Sequence, residues 1–464
     1  VPRPDRLSAL DAAFLDLETV RAPLHVGWTM RLAGPAPSLA ALRRHVAGRL
    51  DAVPRLRRRV VEPALGLADP HWADDAGFDV ARHVHAVDLP APAGTAELEA
   101  AAGLLLGTPL DPARPLWRLT LVRGLPDGFA VVGQAHHALV DGVAAVELAG
   151  LLLDPAGVAR LPRRPAPGWE PAPAPAAGPA LARAGTRRAR SAAGLIRADP
   201  ADVPGLVAAA GRLAAPAPPT ALEAMTGPER RAAFAATALE PLRDAAREHG
   251  ATVNDALLTA AAFALRGALA RRGDVPPAVR ALVPASTRGA GDAAGGNRIS
   301  FLAVDLPLGG GEPARVLRTV RDRTRARKRA GDAGAADVLL RAADALPAPG
   351  RRATARAAAR RARFTLVVSN VPGPDLPLAL LGREVTGAWP AVPLLDGQAL
   401  SIGALSYAGR LHVGVVGDAQ AVPDTDRIAR DLEAALGALS VPAAPARTPW
   451  RERAEARRAL RRSA

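Results

Sequence analysis

Two adjacent histidines, then three residues, then Asp-Gly (His136-His137-Ala138-Leu139-Val140-Asp141-Gly142) form the stretch of this chain best equipped for chemistry. A neutral imidazole has an ordinary pKa close to physiological pH, so beside a hydroxyl group it acts as a general base. The proton it takes readies the oxygen to attack a carbonyl carbon. Neighbouring residues on a strand face opposite ways, so at most one of the two rings enters a given site. Asp141 stands before a helix predicted over Val143 to Leu153, where a carboxylate suits the positive helix end. Gly142 lets the backbone turn sharply there. The architectural alternative is a pair of histidines closing a core strand.

Other chemistries are poorly supplied. There is no cysteine, which removes disulfides, thiolate nucleophiles and cysteine-based metal sites and fits a reducing compartment. Lys328 is the only lysine, which excludes a P-loop and argues against a Schiff-base mechanism. No serine lies in G-x-S-x-G and no HExxH occurs. His83-x-His85 reads as an exposed strand edge rather than a metal site. For an acyl transfer, direct transfer in one ternary complex is more economical than an acyl-enzyme, and it needs a base and a donor for the tetrahedral oxyanion.

The net charge of +15 calls for an anionic partner. Aromatic residues make up 3% and no nucleic-acid motif occurs, so acyl-CoA phosphates or an anionic membrane surface fit better than nucleic acid. No run of 18 apolar residues is present to span a bilayer. No apolar signal core follows Val1-Pro2-Arg3-Pro4-Asp5. The expectation is a cytoplasmic protein, peripheral at the inner membrane face or on lipid droplets.

The elements that must hold the histidines follow from pattern. Ser8 with Asp11 caps a helix whose Leu7, Leu10, Phe14 and Leu17 share a face. His25 to Leu32 is a strand, and Ser38 to about Leu50 a helix. Pro54 to Val61 carries arginines expected on a solvated face. Trp72 to Val87 reads as strand and Ala96 to Leu106 as helix. A strand over Trp117 to Arg123 turns at Gly124–Gly128 into the strand that ends at the histidines. After a Pro/Ala/Arg-rich stretch, a second unit repeats the mixture. It has strands at Phe234–Leu239, Val279–Pro284, Ile299–Leu306, Phe364–Val368, Leu400–Tyr407 and Leu411–Val416. Its helices lie at Glu240–His249, Thr252–Arg272, Ala314–Lys328, Arg351–Arg363 and Asp424–Leu439. Thr252 and Asp255 form a capping box. The division is 1–160 for the histidine domain, 161–226 for a linker or crossover, 227–442 for the second domain and 443–464 for a basic tail.

His136 to Gly142 resembles the HHxxxDG motif of CoA-dependent acyltransferases, a superfamily that includes nonribosomal peptide condensation domains. Further stretches narrow the resemblance. Leu7-Ser8-Ala9-Leu10-Asp11-Ala12-Ala13-Phe14-Leu15, Pro115-Leu116-Trp117, Asn254-Asp255, Gly296-Asn297-Arg298 and Ser369-Asn370-Val371-Pro372-Gly373-Pro374 occur in the order and approximate spacing of the bacterial wax ester synthase/diacylglycerol acyltransferase family. The resemblance covers about Leu7 to Leu439. It implies an α/β (α+β) fold of two chloramphenicol-acetyltransferase-like domains, each a mixed sheet with helices, joined by a crossover. The active site would lie in a channel between them.

The same resemblance implies that His137 is the base, with His136 in support. Asp141 would hold the loop through an ion pair. Gly142, Pro115, Leu116, Trp117, Asn254, Asp255, Ser369, Asn370 and Gly373 are implied as substrate-binding positions. It implies acyl-CoA as co-substrate, diacylglycerol or a long-chain alcohol as acceptor, and no bound cofactor or metal. Gln134 stands where the family more often has a basic residue. Two alternatives stay open: an HHxxxDG enzyme or condensation-type enzyme with another alcohol or amine acceptor, and a non-catalytic lipid-surface protein.

Overall fold

The computed structural model describes residues 7–62, 70–140, 152–158, 169–173, 185–186, 188–191, 193, 211, 219–223, 227–286, 299–330, 345–361 and 364–441. The first half of the chain gives α1 (Ala9–Leu17), β1 (His25–Ala33), α2 (Leu39–Ala47), β2 (Arg58–Val61), β3 (His71–Asp74), β4 (Val84–Asp88), α3 (Thr95–Gly107), β5 (Trp117–Arg123), β6 (Gly128–His136) and β7 (Asp154–Pro155). The second gives β8 (Arg230–Ala238), α4 (Leu239–Glu248), α5 (Val253–Arg271), β9 (Ala278–Ser286), β10 (Ile299–Pro307), α6 (Pro313–Arg329) and α7 (Ala348–Arg361). It continues with β11 (Leu366–Val371), β12 (Leu378–Leu380), β13 (Arg383–Ala391), β14 (Leu400–Tyr407), β15 (Arg410–Asp418) and α8 (Thr425–Leu439).

Two mixed sheets organise these elements. One has seven strands in the order β4-β5-β6-β1-β13-β12-β7, the other six in the order β10-β9-β11-β14-β15-β8. The division between lobes is not a cut in the sequence. β12 and β13 come from the second half of the chain, yet β13 runs antiparallel to β1 in the first sheet. In the second sheet β11 is parallel to both neighbours, β9 and β14.

Helices pack on both sheets. In the second lobe α5 is the central helix, its Leu257, Leu258, Leu265 and Leu269 packed on Val304, Leu366, Ile402 and Val413. Thr252 and Asp255 close its first turn with reciprocal hydrogen bonds, as the capping pattern predicts. α5 is long and apolar enough by composition to cross a membrane, but two-thirds of it is buried in this core. The first lobe gathers Trp28, Leu42, Trp72, Leu121, Phe129 and Val131. The β5–β6 hairpin and the Ser8/Asp11 capping box of α1 form where the sequence places them.

Some expectations change in three dimensions. The arginines after Pro54 do not form a solvated face. Arg57 and Arg58 are buried and paired with Asp51 and Asp74, and Arg55 reaches Asp11. A buried guanidinium needs such partners, and they come from other elements. His83 is no exposed edge either: it is buried, stacks on Trp117 at 4.6 Å, and its Nδ1 lies 2.9 Å from the Trp117 carbonyl. The linker calls between 161 and 226 fall largely, and the 443–464 tail wholly, outside the described residues.

Candidate active site

The strand that carries the histidines is central in its sheet, with β1 on one side and β5 on the other. Both neighbours hold the histidine backbone as it leaves the ladder. The His136 N–H donates to the Leu116 carbonyl at 2.9 Å, and the His137 N–H to the Leu24 carbonyl at 2.9 Å. The chain then turns tightly, with the Leu139 N–H returning to the His136 carbonyl at 2.8 Å. Strand, two backbone anchors and turn fix the pair before any side-chain contact is made.

The His136 ring is fully buried, and its tautomer can be read from its partners. The Ala138 N–H donates to Nδ1 at 3.0 Å, so that nitrogen carries a lone pair. The ring proton of the neutral form is therefore on Nε2, which faces Glu18 Oε2 at 3.5 Å. Glu18 is the residue that ends α1, and its other oxygen lies 3.4 Å from His25 Nε2. The Leu24 N–H also points at that oxygen, at 3.3 Å. His25 and His136 are direct cross-strand partners in the β1–β6 ladder, which places both within reach of one carboxylate. Burial pushes the Glu18 carboxyl up, but its bonds to His136 and His25 outweigh this and hold it well below the usual carboxylate range. Burial lowers His25, with Glu18 opposing.

His137 is the first residue past β6, at the start of the turn. Phe14 of α1 stacks on its ring at 3.8 Å between centroids, nearly parallel. Desolvation drives the imidazole down to about 4, a contact with its own backbone opposes that, and the neighbouring His136 adds to it. At neutral pH the ring is unprotonated, the form a general base must have.

The other anticipated positions fall into three groups. Leu116 and Trp117 are buried in the first lobe; Leu116 anchors His136, and Trp117 Nε1–H donates to the Leu56 carbonyl at 2.7 Å. Pro115 immediately precedes them, and the contacts of this segment are those of a scaffold. Asp255 is spent on the α5 cap, with Oδ2 2.9 Å from the Thr252 nitrogen, while Asn254 is half-buried in the same turn. Ser369 and Asn370 are half-buried at the end of β11. Gly373 has a local reason to lack a side chain: a Cβ there would lie 2.3 Å from the Ser406 carbonyl oxygen. Asp141, Gly142 and Gly296-Asn297-Arg298 lie outside the described residues. Phe14, Glu18 and His25 are the partners that the motif reading did not anticipate. Among the described residues no group of three or more His, Asp or Glu is arranged to hold a metal ion.

The two-lobed assembly of mixed sheets is a fold that solved structures share. A wax ester synthase/diacylglycerol acyltransferase from Marinobacter aquaeolei VT8 aligns with a TM-score of 0.66 at 24% identity, over 94% of this chain and 98% of that one. The first condensation domain of the CDA synthetase aligns with a TM-score of 0.56 at 18% identity, over 95% and 97%. Sequence decides between these relatives. Residues 7–257 match the wax ester synthase/diacylglycerol acyltransferase catalytic domain, and residues 295–440 match the C-terminal domain of the same family. The protein named "Probable diacyglycerol O-acyltransferase tgs1" from Mycobacterium tuberculosis (strain H37Rv) is 31% identical over 452 residues, covering 94% of this chain and 96% of its own. "Probable diacyglycerol O-acyltransferase tgs2" of the same organism is 33% identical over 453 residues, covering 93% and 98%. The chain belongs to the wax ester synthase/diacylglycerol acyltransferase family.

Proposed function

We propose that this protein transfers a long-chain acyl group from acyl-CoA to the hydroxyl of diacylglycerol or of a long-chain alcohol, giving triacylglycerol or wax ester, with His137 as general base. Family membership supports the reaction class. The observation that carries the role of His137 is its neutral, Phe14-stacked ring at the strand end. Nε2 takes the proton of the acceptor hydroxyl as oxygen attacks the thioester carbon. The tetrahedral intermediate collapses with loss of the C–S bond, and the imidazolium returns the proton to the leaving thiolate. Ester and CoA thiol result, with no acyl-enzyme and no redox partner. Glu18 and His136 support His137, and the half-buried Asn254, Ser369 and Asn370 are the second lobe's polar candidates for substrate contact. The protein works at a lipid surface on the cytoplasmic side, where both its apolar substrates are found.

The test is thiol release from palmitoyl-CoA, with dioleoylglycerol and hexadecanol offered separately, beside His137→Ala. Release that needs an acceptor and falls by about 10²–10⁴-fold in the folded variant is expected. Release indifferent to His137 would remove the base assignment. Release with amines but not alcohols would favour a condensation-type activity.

A further inference from the structure

We infer that Arg351, on the helix that leads into the second lobe's β11, is a positioning residue for the histidine cluster of the first lobe and acts through Asp16 of α1. The inference rests on the acyl-transfer reading for its kinetic arm only.

Few other contacts hold α1. It has nine residues, too few to be stable alone. Its apolar contacts are few: Leu10 and Phe14 form a small cluster with Leu24, with Leu17 and Leu395 at the margin, and Leu15 packs against the first lobe's core. Yet α1 carries two groups that touch the histidines, Phe14 on His137 and Glu18 between His136 and His25. Asp16 lies between them in sequence and is 1% exposed.

Asp16 is an awkward residue for its place. It sits in the last turn of α1, where the helix dipole disfavours an anion, and it is buried. α7 supplies the compensation. Arg351, 2% exposed, donates Nε–H to Asp16 Oδ2 at 2.9 Å. Arg352 Nε–H reaches Oδ1 at 3.2 Å, and Arg356 Nε–H reaches the Asp16 carbonyl at 3.1 Å. Three arginines on one helix thus grip the last turn of another, while Arg55 meets Asp11 at the opposite end at 3.5 Å.

A buried ion pair gives little net stability over well-packed apolar side chains. What it adds is direction, because each hydrogen bond fails if the helix rolls. Side-chain tips lie about 5–6 Å from a helix axis, so a roll of 20° swings them by about 2 Å. Glu18 meets its two histidines at 3.4 and 3.5 Å and would lose both. Because α7 is followed in the chain by β11, the clamp ties the second half of the chain to the imidazole cluster of the first lobe.

The test uses full-length Arg351→Met, Arg351→Lys and Asp16→Asn. It reads kcat and both KM values with palmitoyl-CoA and hexadecanol, and ¹⁵N signals of the histidine rings in ligand-free protein. A misplacement of about 1 Å costs about 10²-fold, so kcat of Arg351→Met is expected to fall by that order with KM values within about twofold. The His136 ring signals should shift with it, and Arg351→Lys should recover part of both. A folded Arg351→Met with wild-type kcat and unmoved His136 signals overturns the inference and leaves the pair a stability element. Should that variant not fold, Arg352→Gln and Arg356→Gln take its place. Each is expected to lower kcat by about threefold, a fraction of the full misplacement cost, and unchanged kcat with unmoved signals overturns the inference equally. Wild-type protein that releases no thiol would refute the acyl-transfer reading, while the ring signals would still decide the clamp.

Discussion

Each lobe holds an imidazole that burial pushes down to about 4, His137 in the first and His412 in the second. His412 lies in the middle of the β14–β15 pairing, opposite Leu405, and is 2% exposed. Its ring meets Trp389 edge-on at 5.4 Å and Tyr407 at 6.2 Å. The charge that adds to its low pKa is a cation, Arg410. His137 instead stands where a strand gives way to a turn, is only half-buried, and has the Glu18–His136–His25 cluster at its back. A depressed pKa is thus the common result of burying a ring. What distinguishes a candidate base is an edge that a substrate can reach and a second layer that fixes the ring.

The comparison breaks most sharply by substitution. His137→Ala is expected to lower kcat by about 10²–10⁴-fold with the melting temperature little changed. His412→Ala should do the reverse, lowering the melting temperature through the cavity it leaves while kcat stays within a few-fold. Steady-state thiol release and a thermal melt on both variants decide it. Equal kcat losses would mean that the two sites are not different in kind.

Glu18→Gln probes the second layer. It keeps the shape and removes the charge that His25 and His136 share. A loss of about 10–10²-fold in kcat is expected, in the range of outer-shell partners that orient a functional ring. A variant as fast as wild type would show that backbone anchors alone hold the histidines. Glu18 also shows where sequence reasoning stops. The histidine pair, the β5–β6 hairpin and the capping boxes of α1 and α5 were legible because their causes are local: alternation, turn residues, a Ser or Thr three residues before an Asp. Glu18 is one acid past a helix end, and nothing nearby marks it. Its role comes from the β1–β6 register, which sets His25 opposite His136. The arginines at 55–58 depart from the solvated face their sequence suggests for the same reason, since Asp11, Asp51 and Asp74 meet them only in the fold. The exchange of β12 and β13 into the first sheet was also invisible, because a strand's pattern names its faces but not its partners.

Phe14→Ala tests desolvation as the cause of the low pKa of His137. The wild-type ring stays neutral down to about 4, so kcat/KM should be nearly flat from pH 8 to pH 5. Removing the stacked ring lets water in, which favours the imidazolium and raises the pKa toward 6.5. The acid limb then moves up, and at pH 5 the variant should have lost most of the kcat/KM it shows at pH 8. The sign for stability follows. A folded-state pKa below the unfolded value means that the unfolded chain binds more protons between about pH 4 and 6.5, so wild-type stability falls as pH drops through that window. His412 contributes in the same direction over the same range, so stability alone cannot separate the two rings. The kcat/KM profile can, because only a base imprints its pKa on the rate. A Phe14→Ala limb that coincides with wild type would place the cause of the depression elsewhere.

The smallest effect expected separates a cap from a site. Asp255 accepts from the Thr252 nitrogen at 2.9 Å and from the Thr252 hydroxyl at 2.7 Å, and the Thr252 Oγ1 accepts from the Asp255 nitrogen at 3.2 Å. Thr252→Ala removes two of these three bonds and leaves both Asn254 and Asp255 in place. The loss of an N-cap costs about 0.5–2 kcal/mol, which a melt resolves. If Asp255 serves the helix, kcat and both KM values should be unchanged below the transition. If the Asn254-Asp255 pair must also be held at a fixed depth for the acyl chain, the freed carboxylate would raise the KM for palmitoyl-CoA while the melt shifts by the same small amount. The reciprocal bonds satisfy the cap without any ligand, so the first outcome is the one expected. It would leave His137, with its stacked ring and the neighbouring Glu18–His136–His25 cluster, as the point where the lobes differ.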